Sequence, residues 1–323
     1  MNGRLCGWIK WSERSRHLVF LLLVAAGGVS LKAQQLPTFF HYSNNWSVLN
    51  PAALSPDLIL DDGYRMSVQS TVRRQWADVE DAPRTQTLAT TFLPETQSII
   101  LGGHLMNDQT GAIGWTGLYG RFAYRLRLTR HQTLSVGVHL GLAQYRVRAA
   151  EIRLLEPDDI LGNTNQNQLL PDAGLGVFYQ FRNRLYGGIS FPQVFNWTTR
   201  YRNDRGDQYQ LTRLRHAYAM GGANLFLNND NRLSITAWVK RAPGVPWTAD
   251  VNLRYFYQDV FWLGMGGGTT DVAHLEAGLL IGNGLGYLNG RLALSFGYDF
   301  TLSSRQQLLG STLEIGLRYT FLE

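Results

Sequence analysis

The sequence predicts an all-β fold, an outer-membrane antiparallel β-barrel of about fourteen strands preceded by an irregular N-terminal segment. Three observations predict it: an export signal at the start, period-two segments long enough to cross a bilayer, and connection lengths sorted by strand parity.

The export signal comes first. Arg4, Lys10, Arg14 and Arg16 precede the apolar run "HLVFLLLVAAGGVSLKA", whose core spans about Leu18 to Val29. This is the layout of a secretory signal peptide over 1–33 with cleavage after Ala33, although Leu31 is large for its position. A membrane anchor would need about 20 apolar residues, and the run is shorter. Residues 1–33 carry five of the 30 Lys+Arg and one of the 24 Asp+Glu, so the formal charge of +6 falls to +2 beyond them. Lys240 is then the only lysine and no cysteine remains, since Cys6 lies in the signal. These features exclude disulfides and thiolate metal sites, and a basic surface for nucleic acid is poorly supported, so no nucleic-acid partner is expected.

Residues 34–63 do not alternate and contain Pro37, Pro51 and Pro56. They are expected to form a periplasmic or plug-like segment, with 39–53 packed into the periplasmic mouth of the barrel.

Residues 64–323 hold the strand-like segments. Their approximate spans are 64–76, 84–93, 98–106, 113–128, 133–147, 173–182, 184–192, 211–227, 231–241, 247–257, 259–268, 272–281, 289–301 and 311–321. Many reach the 9–11 residues that a tilted strand needs to cross a bilayer. In "LSVGVHLGLA", Leu134, Val136, Val138, Leu140 and Leu142 form an apolar face. Ser135, Gly137, His139, Gly141 and Ala143 form a small or polar one, which suits lipid outside and lumen inside. "WTADVNLRYFY", "RLALSFGYDF" and "LEIGLRYTF" alternate in the same way and put Asp250, Asn252, Arg254, Asp299, Glu314 and Arg318 inside. Links after even-numbered strands are short, as in "RHQT", "NNDN" and "QD". The longest, about 149–172 and 193–210, follow odd-numbered strands. A barrel with both ends in the periplasm sorts its loops in this way, and a soluble sandwich has no reason to.

Chemistry-bearing groups are few. His274 and Glu276 share a strand face, which raises the possibility of a barrel hydrolase. The favoured reading is a polar lumen network in which Arg121, Arg125, Arg127, Arg254 and Arg318 pair with Asp250, Glu276, Asp299 and Glu314. No Ser-His-acid set can be placed and the histidines lack metal-ligand spacing, so no catalytic, metal or cofactor site is expected. "GMGGG" at 264–268 lacks the Lys-Ser/Thr of a phosphate loop and reads as a strand bend. "RGD" at 205–207 is a chance occurrence in a long loop, and "NTNQNQ" at 163–168 reads as solvated loop.

An ordered series of motifs resembles the PorP/SprF family of type IX secretion membrane proteins. "HYSNNWSVLNPAALSPD" is similar to its opening Asn-Pro-Ala segment, and "RRQWADVEDAPRTQTLATTFLP" to its Arg-x-Gln-Trp and Ala-Pro-x-Thr signature. "LGGHLMNDQTG", "FAYRLRLTRHQTLSVGVHLGL", "LPDAGLGVFY", "GGISFPQ", "YFYQDVFWLGMG" and "SFGYDF" follow in order. "GSTLEIGLRYTF" resembles the closing strand, with Leu313 where the family often has His. The resemblance implies a barrel in the outer membrane of Bacteroidetes-type bacteria. It also implies, as partners, membrane lipid, other type IX secretion components, and cargo proteins with C-terminal targeting domains whose export or surface attachment the barrel assists. A diffusion pore or hydrophobic-solute transporter is the alternative. Within the N-terminal segment, Asn45, Trp46, Asn50 and Pro51 are the residues expected to plug or dock, because Asn50 can satisfy backbone groups and Pro51 fixes the chain path.

Overall fold

The computed structural model describes residues 39, 41–148, 166–202, 208–212, 214–270, 272–282, 289–302 and 310–322. The stretch 1–33, expected to be a signal peptide, and the "RGD" at 205–207 lie outside them, as does most of the long link from 149.

Sixteen strands follow in chain order. They are β1 (Tyr64–Arg74), β2 (Arg84–Phe92), β3 (Ile99–Thr110), β4 (Ile113–Thr129), β5 (Gln132–Val147), β6 (Gln166–Phe181), β7 (Leu185–Phe191), β8 (Thr198–Arg202), β9 (Gln208–Thr212), β10 (Ala217–Phe226), β11 (Arg232–Arg241), β12 (Thr248–Tyr257), β13 (Phe261–Gly268), β14 (Val272–Ile281), β15 (Gly290–Thr301) and β16 (Thr312–Leu322). Fourteen of them close an antiparallel barrel, with β1 paired to β16 through partners such as Val72 and Ile315. Strands β8 and β9 form a separate hairpin in the connection from β7 to β10. Among the described residues no helix is long and apolar enough to cross a membrane.

Each of the fourteen sequence segments corresponds to one barrel strand. Three boundaries differ by more than two residues. The β6 strand begins at Gln166, because the ladder with β5 continues from Ala143–Leu170 to Val147–Gln166 after apolar alternation has stopped. Part of "NTNQNQ" is therefore strand rather than loop. Likewise β3 runs on to Thr110, through the polar "NDQT". The span 211–227 divides, Leu211 and Thr212 belonging to β9 while β10 starts at Ala217. Backbone hydrogen bonds, unlike side-chain alternation, carry no mark of where the lipid ends.

The pleat sorts the side chains as period two requires. Leu140 is 65% exposed and its neighbour His139 is 2% exposed. Val251, Leu253 and Tyr255 face outward on β12 while Asn252 and Arg254 are buried. The short turns Arg130–His131, Arg182–Arg184 and Gln258–Val260 gather at the end of the barrel that holds Tyr64 and Leu322. The opposite end carries the 75–83 link and the β8–β9 excursion, although Gly111 at φ +55° also makes a tight turn there between β3 and β4.

Fourteen strands enclose more room than their own side chains fill, since about eight strands already exhaust that capacity. Here the N-terminal segment occupies the space. Helix α1 (Trp46–Leu49) and helix α2 (Pro56–Leu60) are single turns. Pro56 at the first position of α2, behind an extended Ser55, starts that turn where its missing N–H costs nothing. Tyr42, Trp46, Ala52, Ala53 and Leu54 are essentially inaccessible and join one apolar cluster with Met106, Phe178, Tyr218 and Trp238 of the wall. The molecule's core thus lies inside the barrel, and its outer surface is the lipid face. The segment reaches farther in than the mouth beside Tyr64. Phe39 lines a small void with Met106 and Trp115, which stand near the Gly111 turn at the other end.

Candidate functional site in the barrel lumen

The Asn-Pro step sits in a recess made by three glycines on three adjacent strands. Asn50 donates from Nδ2 to the carbonyls of Val177 at 3.1 Å and Ile189 at 3.4 Å, and its Oδ1 accepts from Ala52 N–H at 2.9 Å. These bonds require the segment to lie against the wall backbone. A methyl at Gly137 would stand 2.7 Å from Pro51 carbonyl carbon, and one at Gly188 2.8 Å from Asn50 Nδ2. At Gly176 it would collide with Asn50 Oδ1. Gly137 is therefore a contact surface, and a side chain of any size there would press on the Pro51–Ala52 backbone.

Trp46 is fully buried, its ring edge-on to Tyr186 at 4.8 Å and Phe178 at 5.8 Å. Asn45 accepts at Oδ1 from the hydroxyls of Thr71 and Thr87, at 3.3 and 3.2 Å, while its own amide donates to His41 carbonyl. Ser190 of β7 donates to Leu49 carbonyl at 2.7 Å. The four N-terminal residues singled out from sequence thus share one interface with β1, β2 and β5–β7.

The inward polar residues form several clusters rather than one network. On β12–β14, Arg254 Nε donates to Glu276 at 2.5 Å and Asn252 Nδ2 to the other carboxylate oxygen at 2.7 Å. His274 Nε2 meets Asn252 Oδ1 at 2.9 Å, and Asp250 lies 4.0 Å from His274 Nδ1. Arg254 also donates to Ser43 Oγ of the segment at 2.6 Å. On β16, Glu314 accepts from His41 N–H at 3.1 Å and faces Arg73 Nε at 3.8 Å. Arg318 donates to Asp57 at 2.7 Å and to Asn44 Oδ1 at 2.9 Å. Asp299 caps Thr312 N–H at 2.6 Å.

Three expected members stand apart. Arg121 donates to Ala53 carbonyl at 2.8 Å and Thr91 Oγ1 at 2.7 Å, so it holds the segment through neutral acceptors. Arg125 lies at the short-turn end, with only a 3.4 Å bond to Gln97 carbonyl, beside the exposed Arg127.

Sequence reasoning missed Asp57, Arg291, Arg73 and His41. Asp57 had a signal: it is the only charged residue in 34–60, histidine apart, in a segment facing an arginine-rich wall. Burial alone would raise its carboxyl pKa, but Arg318, then Arg291 and the hydroxyl of Thr320, hold it below the usual carboxylate range.

These contacts bind and orient; they do not assemble a nucleophile with a base. The hydroxyl tied to the His274–Glu276 cluster, Ser43, is already held by Arg254. Among the described residues no group of three His, Cys, Asp or Glu is placed to hold a metal ion.

The family described as "Type IX secretion system membrane protein PorP/SprF" matches residues 31–319. No curated protein matches the chain. Among solved structures, the CymD monoaromatic hydrocarbon channel is 11% identical with a TM-score of 0.51, covering 92% of this chain and 97% of its own. The TodX deltaS2S3 mutant monoaromatic hydrocarbon channel is 12% identical with a TM-score of 0.50, covering 86% and 94%. At such identities the likeness is one of fold.

Proposed function

Because the chain belongs to the PorP/SprF family of type IX secretion system membrane proteins, we propose that it is an accessory barrel that assists export or surface attachment of cargo proteins, acting as a filled scaffold and not as an open pore. Family and fold place it in the bacterial outer membrane, as a non-enzymatic component associated with the type IX system.

The observation that carries the scaffold reading is the occupied lumen. Residues 41–60 are fastened to the wall on opposite sides, by Asn50 to β6 and β7 and by Asp57 to β16. Two voids deeper beside the segment hold about 20 and 30 Å³, room for roughly one water each and well short of the ~150 Å³ that accommodates a benzene ring, and a larger pocket of about 380 Å³ lies against α2 at the short-turn mouth. A hydrophobic-solute transporter draws support from the fold it shares with the CymD channel. It would need the segment to shift before a solute could pass. Cargo bearing a C-terminal targeting domain remains the partner the family resemblance implies.

Two measurements test the proposal. The purified chain in planar bilayers should show no porin-like conductance. Cells lacking the gene should retain their other outer-membrane barrels but lose surface display of specific cargo. A wild-type barrel that conducts steadily, in cells whose cargo display is intact without it, would favour the transporter.

A further inference from the structure

At the short-turn end the barrel opens into a pocket of about 380 Å³ between β4–β6 and helix α2. Its chemistry differs from the rest of the lumen. Elsewhere Arg254, Arg318, Arg291, Arg232 and Arg73 each lie within 4 Å of a carboxylate. Around this pocket stand Arg125, Arg127, Arg130 and Arg182, and none of the four has a carboxylate that close among the described residues. Arg125 Nε is buried without a hydrogen-bond partner among the described residues. Asp62 is the one acidic residue of the lining.

The rim is built. Arg182 sits at φ +52°, a backbone conformation uncommon for a residue with a side chain. Its N–H donates to His131 carbonyl at 2.8 Å, and its guanidinium reaches His131 Nε2 at 3.2 Å. The two hairpin turns are thereby tied together with their cations turned to one opening. Gathering like charges is unfavourable until an anion arrives, so the arrangement stores affinity for one.

We propose that this mouth binds an acidic peptide segment of a protein on that side of the membrane, its carboxylates taken by Arg125, Arg127, Arg130 and Arg182. Guanidinium forks match carboxylates, and the exposed rim arginines can follow an extended chain. The pocket lies within the size range of ligand sites and exceeds the room of a single small oxyanion. Ile59 and Leu60 of α2 add an apolar floor. Arg125 and Arg127 alternate with the lipid-facing Leu126 and Leu128, so the pocket opens to the lumen side and away from bilayer headgroups. The inference goes beyond the secretion reading by stating what this mouth recognises, and its binding test does not depend on cargo display.

The test uses the full-length chain in detergent and a fluorescent decaglutamate peptide, with anisotropy as the readout. Wild type should bind with an affinity that falls as salt rises. R127Q/R130Q/R182Q should weaken binding by about tenfold or more, whereas the lysine triple should recover much of the loss through retained charge. R84Q/R146Q/R241Q, at the opposite end, should leave it unchanged. Equal loss from the two glutamine triples, or no loss from the first, overturns the proposal. So does displacement of the peptide by inorganic phosphate or by phosphatidylglycerol micelles at matched charge concentration, which would make the site one for small anions or lipid. If the first triple fails to fold, a photoreactive peptide on wild type decides. Cross-links within 125–133 or 180–184 support the pocket, and cross-links elsewhere refute it.

Discussion

The carboxylate of Asp57 lies 2.7 Å from Nε of Arg318, which fastens a helical turn near the start of the chain to the last strand, 261 residues away. Thr320 adds a second bond to the same oxygen at 2.9 Å. Both partners are buried, so neutralising Asp57 leaves the Arg318 cation facing the neutral Asn44 oxygen in place of a carboxylate.

Asp57→Asn should therefore loosen the segment, at a cost of about 3–5 kcal/mol if the site stays dry. Hydrogen exchange at the amides of 41–60 should accelerate while the strand amides stay protected. The wild-type latch should also depend on pH in one direction. The folded pKa of Asp57 lies below its unfolded value of about 3.9. Its contribution is then fully present above that value and is lost as pH falls through the folded one. Exchange in 41–60 should be flat from pH 8 to about 5, after correction for intrinsic rates, and rise below about 4. A rise centred near pH 6.5 would point to a histidine and away from Asp57.

The glycine recess makes a sharper test because it predicts a sign of coupling. Gly176→Ala places a methyl against Asn50 Oδ1 and should cost about 1–3 kcal/mol by overpacking. Asn50→Ala loses bonds to the carbonyls of Val177 and Ile189. The double variant should be less damaged than the sum of the two, since removing the amide removes the collision. Thermal unfolding in detergent gives the cycle. Strict additivity would mean that the two residues do not meet.

How much of this was legible in the sequence depends on what wrote the signal. Val138 and His139 betray their faces because lipid and lumen select opposite side chains at alternate positions, so every barrel strand was readable. Gln166–Gln168 was not, since this stretch of strand is polar on both faces. The hairpin β8–β9 merged with its surroundings for a similar reason. In the site, Asn50 and Pro51 stood out by type. Their cradle did not: Gly137, Gly176 and Gly188 lie on three strands, and only the register brings them together. The pairing of Arg318 with Asp57 rather than with a neighbouring strand was hidden likewise. Alternation shows that a charge faces inward but not what occupies the space opposite.

Facing and orientation can be checked in cells. Val138→Arg should cost about 2–4 kcal/mol if it lies near the bilayer midplane, and reduce the amount of heat-resistant barrel on gels. Epitopes in 149–172 or 193–210 should be labelled on intact cells. Epitopes in 129–132 or 228–230 should be reached only after permeabilisation. The opposite labelling would invert the barrel and put the arginine-rich mouth outside.

Deleting 39–53 while keeping residues 1–38 and 54–63 tests what the filled lumen is for. The deletion removes Trp46, Tyr42 and the Asn50–Pro51 contact but leaves all fourteen barrel strands and the Asp57–Arg318 latch. Closure of β1 on β16 does not involve the deleted residues, so the barrel should still insert. Its lumen would then expose Arg121, which loses Ala53 carbonyl, and Arg254, which loses Ser43. Water would enter such a charged, roomy space, because about fourteen strands approach the width at which barrels become channels. Conductance should rise from baseline to discrete open levels. If cargo display also fails, the segment serves secretion as well as closure. If display survives while conductance rises, it is a seal alone. A deleted barrel that inserts, conducts no more than wild type and still displays cargo would show that 39–53 is only a leader to the first strand.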